Sequence, residues 1–136
     1  MPDPLPTPGP SSDPATPSRP VELSIVLPVF NEEDNLEPLD AEIRAVLRGL
    51  GRSAEIVYVD DHSRDQSLAV LRRLVKTAEQ ANDPIRTRVI EFRRNYGQTA
   101  ALAAGFQLAH GEIVIPLDAD GQNNPADIPR LLAMLD

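Results

Sequence analysis

Asp118-Ala119-Asp120 sets two carboxylates two residues apart, directly after the short apolar run Ile113 to Leu117. In an extended segment, residues i and i+2 project to the same side, about 7 Å apart at the backbone. Hard oxygen donors so placed suit Mg²⁺ or Mn²⁺, which keep coordination positions open for substrate phosphates. Ala119 and Gly121 are small, so a bulky ligand can come close. An isolated pair of this kind often caps a helix or sits on a solvated loop. Here three further polar clusters, Asn31-Glu32-Glu33-Asp34, Asp60-Asp61-His62-Ser63 and Arg93-Arg94-Asn95, each follow another apolar run. Asp60 and Asp61 can divide two tasks, one carboxylate orienting its loop through backbone amides and the other accepting from a nucleobase or ribose. Asp60 and Ser63 also suit a cap on the helix that follows. Arg93 and Arg94 suit a diphosphate, an acidic rim or a simple salt bridge. His62 and His110 lack metal-ligand spacing, and Tyr96 and Phe106 read as packing residues.

The elements that must position these groups follow from periodicity. Leu23 to Leu27 reads as a strand stopped by Pro28, and Glu55 to Val59 and Arg88 to Phe92 as two more. Leu36, Leu39, Ile43, Val46, Leu47 and Leu50 form a helical stripe closed by Gly49 and Gly51, and Leu68, Leu71, Leu74, Val75 and Ala78 form a second. Thr99 to Ala109 is alanine-rich and reads as a buried helix. Ile113 to Leu117 is the fourth strand, and Pro125 opens a last helix as a first-turn proline. This alternation of strand and helix, with near-continuous apolar strands, predicts an α/β domain: a mostly parallel sheet covered by helices on both faces. Ligands of such sheets sit outside the carboxyl ends of the strands, where all four clusters fall. The last helix reaches Asp136 with no cap and no following strand, so the domain reads as truncated.

Composition narrows the ligand. The 136 residues suffice for one core, and a net charge of -8 argues against nucleic acid held through phosphates. A nucleotide stays compatible, because a divalent cation reverses the local sign. There is no cysteine, which excludes a disulfide scaffold and a thiolate metal site. With no apolar run of membrane-spanning length and no signal-like start, a cytosolic location is expected. Residues 1–20 hold eight of the fourteen prolines and read as a disordered tail, with a polyproline ligand as the alternative. The domain proper occupies 21–136. The turn Val29-Phe30-Asn31-Glu32-Glu33 contains no glycine and two carboxylates, unlike a dinucleotide-binding turn, and no GxxxxGK[ST] phosphate loop occurs. A phosphoacceptor signalling domain would need an acidic pair after the first strand and a lysine near the end of the sheet, whereas the lone lysine, Lys76, lies in a surface helix. A nucleotidyltransferase would need a glycine-rich basic opening loop, which is absent.

Leu27-Pro28-Val29-Phe30-Asn31-Glu32-Glu33, Val57 to Asp65 and Asp118-Ala119-Asp120-Gly121-Gln122 resemble the motifs of family 2 glycosyltransferases. Arg94-Asn95-Tyr96-Gly97-Gln98-Thr99-Ala100-Ala101-Leu102 is most similar to the branch that makes dolichol- or polyprenyl-phosphate sugars. The resemblance spans about residues 22–136. It implies a GT-A (Rossmann-like) fold, a UDP- or GDP-sugar donor, a divalent metal and a lipid-phosphate acceptor, at the cytoplasmic face of a membrane in a full-length protein. Carried over, Pro28, Phe30, Asn31 and Glu32 line the nucleotide pocket, and Val59 and Asp61 contact base or ribose. Asp118, Ala119 and Asp120 meet the diphosphate, with Asp118, Asp120 and Gln122 as metal ligands. His62 stands where the family usually has glycine, which implies a differently shaped turn. The acceptor-side residues of the family lie in a later segment, so donor binding, rather than turnover, is expected of this chain alone, and a non-catalytic nucleotide-binding remnant is the alternative.

Overall fold

The computed structural model of the chain describes residues 20–120 and 124–135. The expected tail therefore lies outside the described residues, save Pro20, as do Gly121, Gln122, Asn123 and Asp136. Four strands form one parallel sheet: β1 (Leu23–Val29), β2 (Ala54–Asp60), β3 (Arg86–Glu91) and β4 (Ile113–Pro116), in the order β3-β2-β1-β4. Helices α1 (Leu36–Leu50), α2 (Ser67–Gln80) and α3 (Gln98–Leu108) connect them. A 3₁₀ turn, Pro125–Asp127, leads into α4 (Ile128–Leu135).

Strand side chains alternate between faces, and the two faces differ. Leu23, Ile25, Leu27 and Val29 of β1, with Ile56 and Tyr58 of β2, are buried against Leu36, Leu39, Ile43 and Leu47 of α1, Val70 and Leu71 of α2, and Ile128 and Leu132 of α4. The opposite face carries Val26, Val57 and Val59 under α3. There the helix approaches closely, because Gly105 has no side chain. A Cβ at Gly105 would lie 2.3 Å from Val26 Cγ1 and 3.3 Å from Val59 Cγ2.

Three expectations need correction. β1 does not stop at Pro28 but runs to Val29. Val26 O accepts from Leu117 N and Val29 O from Asp61 N. By alternation, Pro28 turns its missing donor to the β4 side, where pairing has ended at Val26↔Pro116. β3 begins two residues before the expected Arg88, because Thr87 is buried at the end of a polar chain. In that chain Arg44 Nη2 donates to Thr87 Oγ1 (2.6 Å), Arg44 also pairs with Asp40 and Asp83, and Tyr58 Oη donates to Asp40 (2.8 Å). Burial first, then Asp40, pushes the Tyr58 phenol well above its ordinary pKa, so it stays a donor. α3 is not a buried helix: only Ala101 and Gly105 are buried, while Phe106 and Leu108 are each nearly half exposed.

A second polar chain pins the amino ends of the strands. Buried Glu55 accepts from Ser24 Oγ (2.6 Å), His110 N (2.7 Å) and Arg88 Nη1 (3.0 Å), which anchors the α3–β4 connection. Among the described residues, no buried side-chain nitrogen or oxygen lacks a hydrogen-bond partner.

Candidate donor site

From β1 the chain runs outward to β2 and β3 on one side, while β4 lies on the other. The crevice beyond the carboxyl ends of β1 and β4 is thus the switch point of the sheet, where open α/β folds bind ligands. A cleft of about 360 Å³ opens there.

One wall is the β1–α1 loop, which is laced to the β2–α2 loop. The amides of Asn31, Glu32 and Glu33 donate to Ser63 Oγ (3.0 Å), Ser67 Oγ (2.8 Å) and Asp65 Oδ2 (3.3 Å). In return Arg64 N donates to Asn31 Oδ1 (2.8 Å) and Gln66 N to Glu33 Oε2 (3.2 Å). Both loops leave their strands through a left-handed residue, Asn31 (φ 54°) and His62 (φ 59°). Asparagine tolerates that region well; histidine here occupies a backbone conformation that glycine adopts freely. Burial opposes the charge of Asp65, but hydrogen bonds from Ser67 and from the Glu33 amide outweigh it and hold the carboxyl below the ordinary range.

The two aspartates at the end of β2 serve different loops. Asp60 accepts from Ser63 Oγ (2.6 Å) and Ser63 N (3.2 Å). Because α2 starts only at Ser67, this pair shapes the loop and does not cap the helix. Asp61 is buried and faces the cleft. Its carboxylate accepts from Tyr96 N (2.7 Å), Gly97 N (2.9 Å) and Asn95 Nδ2 (3.1 Å), which fixes the turn that opens α3.

Most of the expected site residues come together. Pro28, Phe30 and Glu32 from the first loop, Asp61 from the second, and Asp118, Ala119 and Asp120 after β4 all line the cleft. Two do not. Asn31 spends its side chain on the Arg64 amide, and Val59 is wholly buried, close to the Gly105 backbone under α3. Gln122 lies outside the described residues. Val29, Asn95, Gly97 and Gln98, given no site role from the sequence, complete the cleft. The signal for the last three was Gly97 ahead of an alanine-rich helix: at φ 98° it turns the chain into α3. Gln98 Nε2 then donates to Asp118 Oδ1 at 3.0 Å. Arg93 and Arg94 do not line the cleft; Arg94 lies 5.4 Å over the ring of Tyr96, which packs edge-on against Phe92.

The electrostatics follow from this roll. Among the described residues, four carboxylates, Glu32, Asp61, Asp118 and Asp120, border the cleft, and its lining includes no lysine or arginine. Left to itself such a cleft repels a diphosphate. Among the described residues no group of three or more His, Cys, Asp or Glu side chains is placed to hold a metal ion. Mg²⁺ and Mn²⁺ do not need such a group when substrate phosphates supply further ligands: one or two carboxylates suffice. Asp118 and Asp120 fit that requirement.

A family model described as glycosyl transferase family 2 matches residues 24–136, and the chain belongs to that family. Its four-stranded parallel sheet with helices on both faces is of the GT-A (Rossmann-like) type. The chain is 46% identical over 114 residues to the undecaprenyl-phosphate 4-deoxy-4-formamido-L-arabinose transferase of Pseudomonas paraeruginosa, covering 83% of this chain and 32% of that protein. It is 37% identical over 120 residues to the dodecaprenyl-phosphate galacturonate synthase of Rhizobium johnstonii, covering 88% of this chain and 34% of that one. A solved mannosyltransferase from Pyrobaculum calidifontis, in complex with GDP-Man and Mn²⁺, superposes with a TM-score of 0.53 at 25% identity, covering 76% of this chain and 28% of that one. The chain thus spans about a third of the length of the curated relatives it matches. No helix among the described residues is long and apolar enough to cross a membrane.

Proposed function

We propose that this chain binds a UDP- or GDP-sugar together with Mg²⁺ or Mn²⁺, as the donor side of an enzyme that transfers the sugar to a polyprenyl or dolichyl phosphate. The observation that carries this reading is the acidic cleft at the switch point, which suits a diphosphate only through a cation. The relatives named for lipid phosphates and the neighbour holding GDP-Man and Mn²⁺ support it. In this reading Asp118 and Asp120 hold the cation, with Gln122 as a further oxygen donor. Pro28, Phe30 and Glu32 flank the nucleoside. Asn31 and Val59 contribute indirectly, one by setting the loop and the other by seating α3. The cation, when bound, supplies the positive charge that offsets the charge developing on the leaving nucleoside diphosphate. A lipid-phosphate acceptor brings an oxygen already ionised, so positioning outweighs proton transfer and no general base is assigned. Such an acceptor places the reaction at a membrane surface, and we assign it to the cytoplasmic face.

A second reading is donor binding without turnover. Sugar transfer to a short polyprenyl phosphate separates the two readings. Thermal unfolding tests what they share. UDP or GDP with Mn²⁺ should raise the melting temperature, by the equivalent of about 2.7 kcal/mol at a hundred times Kd, and chelation should abolish the rise. A melting temperature unmoved by both nucleotides in Mn²⁺ would contradict the proposal.

A further inference from the structure

Gln98 joins two elements that arrive at the cleft from different directions. It is the first residue of α3, and Asp118 follows β4 twenty residues later. Its backbone is held on both sides. Ahead of it, Asp61 binds the amides of Tyr96 and Gly97. Two turns behind it, Gly105 seats the helix against Val26. From this fixed start the side chain reaches Asp118 Oδ1 at 3.0 Å. An ionised carboxylate only accepts, so the amide must turn its Nε2 end, and not its carbonyl, toward it. We propose that Gln98 is a positioning residue: its hydrogen bond holds the Asp118 carboxylate in the orientation that binds a divalent cation and, through it, the donor diphosphate. The inference rests on the donor-site reading above and deepens it. Partners that orient a metal-binding carboxylate are part of the site's affinity, and their loss costs about 10- to 100-fold in metal binding.

The bond lies on the exposed cleft wall, so its removal should leave folding nearly untouched. That separates a positioning role from a structural one. The test is an electron paramagnetic resonance titration of the full chain with Mn²⁺, with and without UDP, alongside the melting temperature. Gln98→Ala should bind Mn²⁺ about tenfold more weakly in the presence of UDP, with a changed line shape of the bound ion and an unchanged melting temperature. Gln98→Met, which keeps the length and loses the donor, should behave like Gln98→Ala. It also decides the matter if the alanine variant is unstable. Gln107→Ala, on α3 away from the cleft, should match the wild type. Wild-type Mn²⁺ affinity in either Gln98 variant overturns the positioning role and leaves the donor site standing. A wild-type chain that binds no Mn²⁺ even with UDP overturns both.

Discussion

Asp61 shows how one side chain can be at the cleft and yet work mainly on the protein. The sequence placed it beside a base or ribose; the structure shows three of its roughly four acceptor positions taken by Asn95, Tyr96 and Gly97. Replacing it leaves two backbone donors of a part-buried turn without their partner. Asp61→Ala should therefore cost about 3 kcal/mol in urea unfolding, and a loss under about 1 kcal/mol would contradict the anchoring role. The place of Asp118 and Asp120 at the cleft was legible from their position after an apolar strand, because the carboxyl ends of parallel strands share one rim. What Asn95 and Gln98 do was not. An amide side chain carries no signature of its partner, and these partners lie 34 and 20 residues away. His62 marks the same limit: its left-handed backbone is a property of the laced loops, and residue type alone argues against it.

At the scale of elements, order and type followed from periodicity, and the misjudged points have a common cause. β1 runs through Pro28 because the neighbour on that side ends early, which no local pattern records. α3 reads as buried because, Gln98 and Gln107 apart, its residues are apolar or small, yet only one stripe meets the sheet. That stripe depends on Gly105. Gly105→Ala should press a methyl into Val26, cost about 1–3 kcal/mol, and displace the start of α3 where Gln98 and the Asp61-bound turn sit. Adding Val26→Ala should recover part of the loss in a double-mutant cycle. Simple additivity of the two changes would mean that the close approach is not what limits this packing.

For the molecule as a whole, the charge network sets an acid limit. Burial works against the ionised form of Glu55, but Ser24, the His110 amide and Arg88 outweigh it and hold its carboxyl below the ordinary range. Asp83 is likewise held low: burial opposes its charge, and the Ile85 amide, Arg44 and Arg48 prevail. A folded-state pKa below the unfolded value stabilises the fold fully above the unfolded pKa, about 4, and that stability drains away as pH falls through the folded value. The urea midpoint should thus be level from pH 7 to about 5 and fall below about 4, with Glu55→Gln flattening part of the acid limb. A midpoint at pH 3 equal to that at pH 7 would show that these pairs do not contribute.

The most direct test of the donor site is calorimetric titration of the chain with UDP and GDP, first with Mn²⁺ and then with the metal chelated, for the wild type and Asp120→Ala. Binding of at least one nucleotide that needs Mn²⁺ and disappears in Asp120→Ala is the expected result. Nucleotide binding that persists unchanged without metal or without Asp120, or no binding by a chain that circular dichroism shows to be folded, would contradict a donor site built on the acidic pair.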